Sequence, residues 1–184
     1  KLTTPSFEAF IAPTECRQKR YVVQKSVTAS LDFAAVCAEM GSTWAAHYGG
    51  NLEADINTRG VWEKAEDGAD AYQWAKDNPE AFYHQDKMNG IYDPDVVTGA
   101  YGDGSASDEL FWAATSQYMG NYPGDRDVYL TDVIENMPEE FTLMSWGNVA
   151  ALGVFNWIES ELYHRKFGEF YSGFPDPYAK QKEE

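Results

Sequence analysis

Apolar side chains recur at helical spacing in several stretches of the chain. In the first, from Val27 to Tyr48, apolar residues fall on nearly every side, which predicts a helix that is buried over most of its surface. The second runs from Ile56 to Asp77 and is followed by Asn78-Pro79, which ends it because the residue before a proline disfavours the α conformation. The two patterns predict consecutive long helices.

Three more helices are predicted in the second half of the chain. They cover approximately residues 107–120, 125–138 and 145–163, with caps at Ser107, at Asp125, and at Ser145 or Asn148. Residues 80–104 show no sustained periodic pattern of apolar residues, which is typical of a long loop. Residues 1–26 are predicted to be irregular. About five helices and almost no strand indicate an all-α fold built from helical hairpins.

Composition narrows the possible partners. The 184 residues, expected to form a single domain, contain 14 Lys and Arg against 30 Asp and Glu, so the formal net charge is -16. Nucleic acids and anionic membranes attract basic surfaces, so neither is expected as a partner. Aromatic residues make up 15% of the chain. Sugars stack their C–H faces on aromatic rings and bond carboxylates through their hydroxyls, so the composition is compatible with carbohydrate recognition.

The sulfur and imidazole side chains indicate no transition-metal site. Cys16 and Cys37 leave open one disulfide bridge or two thiols, and the three histidines fit no zinc-binding spacing. No apolar stretch approaches the roughly 20 residues that span a bilayer, so no transmembrane helix is expected.

The stretch from Thr98 to Ala114 is the most informative for chemistry. It places three glycines before the predicted helix and brings Asp103, Asp108 and Glu109 to the start of that helix. Carboxylates mixed with loop carbonyls suit a hard cation such as calcium. The same residues also fit a Gly-rich turn with an ordinary acidic helix start.

Three stretches resemble glycoside hydrolase family 9, the cellulases and endo-β-1,4-glucanases, in the family's own order. They are Val-Thr-Ala-Ser-Leu-Asp-Phe-Ala-Ala from residue 27, Tyr-Gly-Asp-Gly-Ser-Ala-Ser-Asp-Glu-Leu-Phe-Trp-Ala-Ala from residue 101, and Met-Ser-Trp-Gly-Asn-Val-Ala-Ala-Leu-Gly from residue 144. Residues 65–79 resemble the helix between the first two, and the match covers residues 21–155. The resemblance implies part of an (α/α)₆ barrel, an aromatic-lined cleft, and inverting hydrolysis of β-1,4-glucan by an extracellular enzyme.

The chain departs from the family at the catalytic positions. Residues 14–23 contain no Asp-Ala-Gly-Asp, the segment that carries the family's base, and the family's catalytic Glu lies beyond the matching region. We therefore assign no catalytic residue. The chain is expected to be an incomplete part of a catalytic domain, with accessory domains allowed outside it. The alternative is a non-catalytic, calcium-stabilised module that binds glucan or has a structural role.

The resemblance also implies binding residues. A structural calcium site would use five positions: Gly104, Ser105, Asp108, Glu109 and Asn148. The expected partner is a β-glucan polysaccharide or oligosaccharide, contacted by Tyr101 and Trp146 at junctions between loop and helix. Tyr92 and Trp112 are further candidates, although Trp112 stands at core spacing within its helix.

Overall fold

The computed structural model describes residues 2–6, 10–12, 14–48, 56–100, 102–120 and 125–167. Within these ranges the chain forms six helices: α1 (Val27–Tyr48), α2 (Ile56–Asp77), α3 (Gln85–Asn89), α4 (Ser107–Gly120), α5 (Arg126–Asn136) and α6 (Ala150–Phe167). Two short strands, β1 (Leu2–Thr3) and β2 (Tyr21–Val22), pair antiparallel with Leu2 opposite Val22. The all-α prediction is confirmed.

The predicted helix positions agree closely with the structure. The bounds of α1 and α2 match the prediction, and the Asp125 side chain caps α5 by accepting a hydrogen bond from the Asp127 N–H at 3.0 Å. At the start of α6, Asn148 Oδ1 accepts from the Ala150 N–H at 3.1 Å. Of the two predicted caps for this helix, Asn148 is therefore the one used.

Two expectations about individual elements were wrong. Helix α3 lies inside the stretch predicted as loop, and the pair of short strands lies in the predicted irregular segment. In the part of helix α1 whose side chains are described, most positions are buried as predicted, but one stripe is exposed, with Phe33, Val36 and Met40 at 44%, 42% and 55%. Among the described helices α1 packs mainly on α2 and α4, which leaves this stripe uncovered.

Helix α4 is the centre of the packing. It contacts α1, α5 and α6, and all residues from Phe111 to Tyr118 are buried. Ala34 and Ala35 of α1, both fully buried, let α1 approach α4 closely, and Gln117 Nε2 donates across this interface to the Ala34 carbonyl at 3.2 Å. No helix of the described chain is long and apolar enough to cross a membrane.

One carboxylate joins three helices. Glu39 Oε1, on α1, accepts hydrogen bonds from Trp112 Nε1 at 2.6 Å and Ser116 Oγ at 3.0 Å on α4, and from Asn156 Nδ2 at 2.6 Å on α6. Three donors on one charged oxygen fix the relative positions of these helices.

A second polar junction joins α2 to α5. Asp132 is 3% exposed; its Oδ2 accepts from the Tyr72 hydroxyl at 2.5 Å, and its Oδ1 pairs with the Lys76 ammonium. Burial, followed by the hydrogen bond to Asp132, raises the pKa of Tyr72, so its hydroxyl stays a proton donor. The two cysteines are free thiols, with Cys37 buried.

Gly153 allows α6 to approach α4 closely. A Cβ atom added at this position would lie 2.7 Å from an atom of the Phe111 ring and 3.1 Å from the Trp112 Cα. Because the second of these atoms is backbone, a side-chain rotation cannot relieve both contacts. The helix pair therefore requires glycine at this position.

We expect Gly153→Ala to lower the free energy of unfolding by about 2 kcal/mol, because overpacking outweighs the roughly 1 kcal/mol that alanine gains over glycine in helix propensity. Urea denaturation of the two proteins measures this change. Gly90→Ala is the matched control, since a Cβ there meets only the Lys87 and Asp86 carbonyl oxygens, at ordinary distances of 3.5 and 3.6 Å. A Gly153→Ala protein as stable as Gly90→Ala would contradict the close approach.

Candidate functional site

The amino-terminal ends of α1, α4 and α6 lie together. Asp108, in the first turn of α4, accepts a hydrogen bond through Oδ2 from the Val149 N–H at 2.7 Å, just before α6 begins. Asp32, in the second turn of α1, interacts electrostatically with Asp108. The start of α1 is held by a bond from the Val27 N–H to the Ala81 carbonyl at 2.9 Å. The loops that precede the three helices therefore surround one end of the bundle.

The loop before α4 is organised by short polar bonds. Asp103 Oδ1 accepts from the Ser105 N–H at 3.1 Å, and Ser105 Oγ accepts from the Ser107 N–H at 3.3 Å. Ser107, predicted as the cap, is instead the first residue of the helix, and Ser105 accepts its backbone hydrogen. Both Gly104 and Ser105 are exposed at this end of the molecule.

Glu109 is a buried carboxyl group with one oxygen that has no hydrogen-bond partner. The residue is 6% exposed, and the oxygen without a partner is Oε2. Burial raises its pKa to about 8, with a further contribution from the neighbouring charge of Asp108. The site therefore favours a proton or a cation on this group.

Asp32 belongs to the same acidic group, although it was not among the residues predicted for this site. Its Oδ1 atom is buried without a hydrogen-bond partner, and burial, together with the charges of Asp108 and Asp103, raises its pKa to about 6. The signal available in the sequence was a carboxylate among the apolar residues of the first half of helix α1. Its proximity to α4 could only come from the tertiary structure.

The segment before α6 presents an indole to solvent. Ser145 and Asn148 form a tight turn through two backbone hydrogen bonds, of 2.9 and 3.3 Å, and Trp146 inside this turn is 77% exposed. Asn148, predicted as a calcium ligand, uses Oδ1 to cap α6, and Asp108 bonds the adjacent residue. The structure therefore brings the Ser-Trp segment to the acidic start of α4.

The other predicted sugar-contact residues differ in their surroundings. Tyr101 lies outside the described residues. Trp112 is 7% exposed and donates its indole N–H to Glu39, so it is a packing residue and not a sugar platform. Tyr92 is 66% exposed, on the loop that follows α3.

The acidic residues suit a hard cation that also takes neutral oxygen ligands. Two carboxylates with unpartnered buried oxygens, Asp32 and Glu109, lie beside Asp108 and Asp103. Within the ranges that the structure describes, no three His, Cys, Asp or Glu side chains could hold a metal ion by themselves. A cation bound here would complete its coordination with carbonyl and hydroxyl oxygens, as calcium does.

Comparison with known proteins identifies relatives of the whole segment. The model of glycosyl hydrolase family 9 matches residues 6–182. A xyloglucan-specific endo-beta-1,4-glucanase, BoGH9A of Bacteroides ovatus, is 44% identical over 160 residues, which are 86% of this chain and 26% of the relative. Endoglucanase D of Acetivibrio thermocellus is 30% identical over 167 residues, 88% of this chain and 23% of the relative.

A solved structure shows the same arrangement of helices. The Bacteroides ovatus GH9 structure superimposes with a TM-score of 0.74 at 40% identity, over 91% of this chain and 30% of its own. The present chain spans about a quarter of the length of the curated relatives it matches. Family 9 has an (α/α)₆ barrel, and the hairpins described above form part of that barrel, as the resemblance implied. The chain belongs to glycosyl hydrolase family 9.

Proposed function

We propose that this protein hydrolyses β-1,4-linked glucan chains and that its preferred substrate is a branched glucan of the xyloglucan type. The 44% identity to a relative named as a xyloglucan-specific endo-beta-1,4-glucanase supports this substrate. The negative net charge of the chain suits a neutral polymer better than an anionic one. Action in the extracellular space is part of the proposal.

The observation that carries the proposal is the exposed indole of Trp146 beside the acidic start of α4. The Val149 N–H that bonds Asp108 lies three residues beyond Trp146, so the indole and the carboxylates share one end of the helices. An exposed aromatic face on which a sugar ring can stack is one element of carbohydrate recognition. These residues would form one wall of a cleft.

Inverting hydrolysis requires two carboxyl groups, one that protonates the leaving oxygen and one that activates water. Within this chain we assign neither role, because residues 14–23 contain no Asp-Ala-Gly-Asp, the segment that carries the family's base. The described residues would bind and position the glucan. The same sequence observation favours one alternative function, a module that binds glucan without cleaving it.

We further propose that the acidic start of α4 holds a structural calcium ion. Asp108 and Glu109 would supply carboxylate oxygens, and Gly104, Ser105 and Asn148 remain the candidates for neutral oxygens. The unpartnered buried Oε2 of Glu109 is the observation that supports this site. When bound, the ion would neutralise the buried carboxylates and join the loop at residues 102–106 to α4.

Hydrolysis is tested with the full-length protein on xyloglucan and on unbranched mixed-linkage β-glucan, by following the release of reducing ends. We expect release from both polymers, faster from xyloglucan, with the α-anomer as first product in proton NMR. Binding of either polymer without release of reducing ends would replace hydrolysis with the binding-module function. Exclusive cleavage of the unbranched polymer would contradict the preference for a branched substrate.

Trp146→Ala is expected to raise KM for xyloglucan about tenfold, because a stacking platform of this size is worth on the order of 1 kcal/mol or more. Leu143→Ala is the matched control: Leu143 is 83% exposed in the same segment but offers no aromatic face. Steady-state kinetics of both variants measure the effect. Equal KM values for the two variants would contradict a sugar contact at Trp146.

A further inference from the structure

A groove of about 610 Å³ lies between the segment that leads into α1 and the loop that carries α3. Tyr21 to Gln24 form one side, and Tyr83, Met88 and Tyr92 belong to the other. Val96, which is 7% exposed, is one of the buried residues that line it. Its volume falls in the range of about 300 to 1,000 Å³ that is typical of small-ligand sites.

The loop side of the groove is held in place by its own hydrogen bonds. Asn89 bonds Val96 twice, from Nδ2 to the carbonyl and from the Val96 N–H to Oδ1, both at 2.9 Å. The Tyr92 N–H donates to the Met88 carbonyl at 2.9 Å. Gln85 Nε2 donates to the Thr98 carbonyl at 2.8 Å, which closes the base of the loop. The ring of Tyr92 is therefore presented on a fixed backbone, and a ligand would meet a preorganised site.

The chemistry of the lining selects the class of ligand. Three tyrosines supply aromatic rings, while Gln24 and Asp93 supply an amide and a carboxylate group. Among the described residues that line the groove there is no Lys, Arg or His, so nothing in it would neutralise a phosphate or another anion. Aromatic faces with neutral and acidic hydrogen-bonding groups suit an uncharged, polyhydroxylated ligand, which is a sugar.

The groove lies at the same end of the helices as the candidate site but is formed by other residues. Tyr21 to Gln24 directly precede α1, whose first N–H bonds Ala81 at the start of the loop. None of the described lining residues belongs to α4, to α6 or to the turn that carries Trp146. The groove is therefore formed by residues other than those that would contact a glucan main chain at Trp146.

We infer that the groove binds a side-chain sugar of a branched β-glucan, with the ring of Tyr92 as its stacking face. The inference rests on the proposed function, because it assumes that the main chain of the same polymer occupies the cleft beside Trp146. Tyr92 is two-thirds exposed, as a stacking face without its ligand must be. The groove would then contribute to the preference for branched over unbranched substrate.

Affinity electrophoresis of the full-length protein, in gels that contain either xyloglucan or unbranched mixed-linkage β-glucan, tests the inference. For Tyr92→Ala we expect affinity for xyloglucan to fall about tenfold and affinity for the unbranched polymer to stay within about twofold. Ile91→Ala is the control, because Ile91 is also 66% exposed and does not line the groove. Tyr92→Phe, which keeps the ring, should retain most of the affinity.

The outcomes separate this inference from the proposed function. If the unmodified protein binds both polymers and Tyr92→Ala binds xyloglucan as tightly, the groove is not a branch site and the proposed function stands. Equal losses on both polymers would place the main chain in the groove and overturn the inference. If the unmodified protein binds neither polymer, the proposed function fails and this inference fails with it.

Discussion

Replacement of Glu39 by alanine is expected to lower the free energy of unfolding by about 4 kcal/mol, a larger effect than that of any other single change considered above. The substitution removes the oxygen that accepts the hydrogen bond of the Trp112 indole N–H. Ser116 and Asn156 each lose one hydrogen bond as well. A hydrogen bond to a charged group contributes about 1.5 to 3 kcal/mol, and a buried donor left unpaired costs about 1 to 3 kcal/mol. The expected total is smaller than the sum of these costs, because Glu39 is only partly buried and water can reach part of the space that its side chain leaves.

Two variants make the Glu39 experiment specific. Glu39→Gln keeps a carbonyl oxygen for the same donors, so guanidinium denaturation should show a smaller loss of stability than for the alanine variant. Glu66→Ala removes an exposed carboxylate from α2 and should change stability by no more than about 0.5 kcal/mol. A double-mutant cycle with Asn156→Ala isolates the coupling between α1 and α6. A loss for Glu39→Ala no larger than for Glu66→Ala would show that this junction does not hold the helices together.

The helices could be predicted from the sequence because the signals for them are local. Long stretches of periodic apolar residues determined α1 and α2, and Asp125 caps the helix that it precedes in the chain. Helix α3 has five residues and no buried ones, so it leaves no periodic pattern. The exposed stripe on α1 was missed because apolar spacing shows which residues can be buried and not whether a neighbouring helix covers them.

Only part of the candidate site could be predicted from the sequence, because some of its residues are far apart along the chain. Asp108 and Glu109 are adjacent in the sequence and were recognised as a pair, whereas Asp32 reaches them only when α1 packs on α4. The hydrogen-bond donors to Glu39 stand 73 to 117 residues further along the chain. Groups that are distant in sequence become partners through tertiary packing, which one sequence without relatives does not reveal.

Calcium is expected to raise the free energy of unfolding by about 2.7 kcal/mol at one hundred times its dissociation constant, because an ion that binds only the folded state stabilises it by mass action. Thermal unfolding of the full-length protein in calcium and in excess chelator measures the difference. Glu109→Gln should reduce the stabilisation most directly, since it removes the charge of the carboxylate whose Oε2 is buried without a partner. Glu135→Gln, on an exposed position of α5, is the control and should respond to calcium like the unmodified protein.

The stabilisation by calcium should also depend on pH, and the direction follows from the raised pKa values of Glu109 and Asp32. Burial raises the pKa of Glu109 from 4.5 to about 8 and that of Asp32 from 3.8 to about 6, so the folded state without metal retains protons that the unfolded state loses. The contribution of these two groups to the free energy of unfolding is therefore largest below about pH 4 and falls as pH rises towards 8. Calcium needs the deprotonated carboxylates, so the shift in Tm that it causes should grow from pH 6 to pH 8. A Tm that calcium leaves unchanged at pH 8 would show that Glu109 is neutralised by its proton alone, and the start of α4 would then be an acidic helix end without an ion.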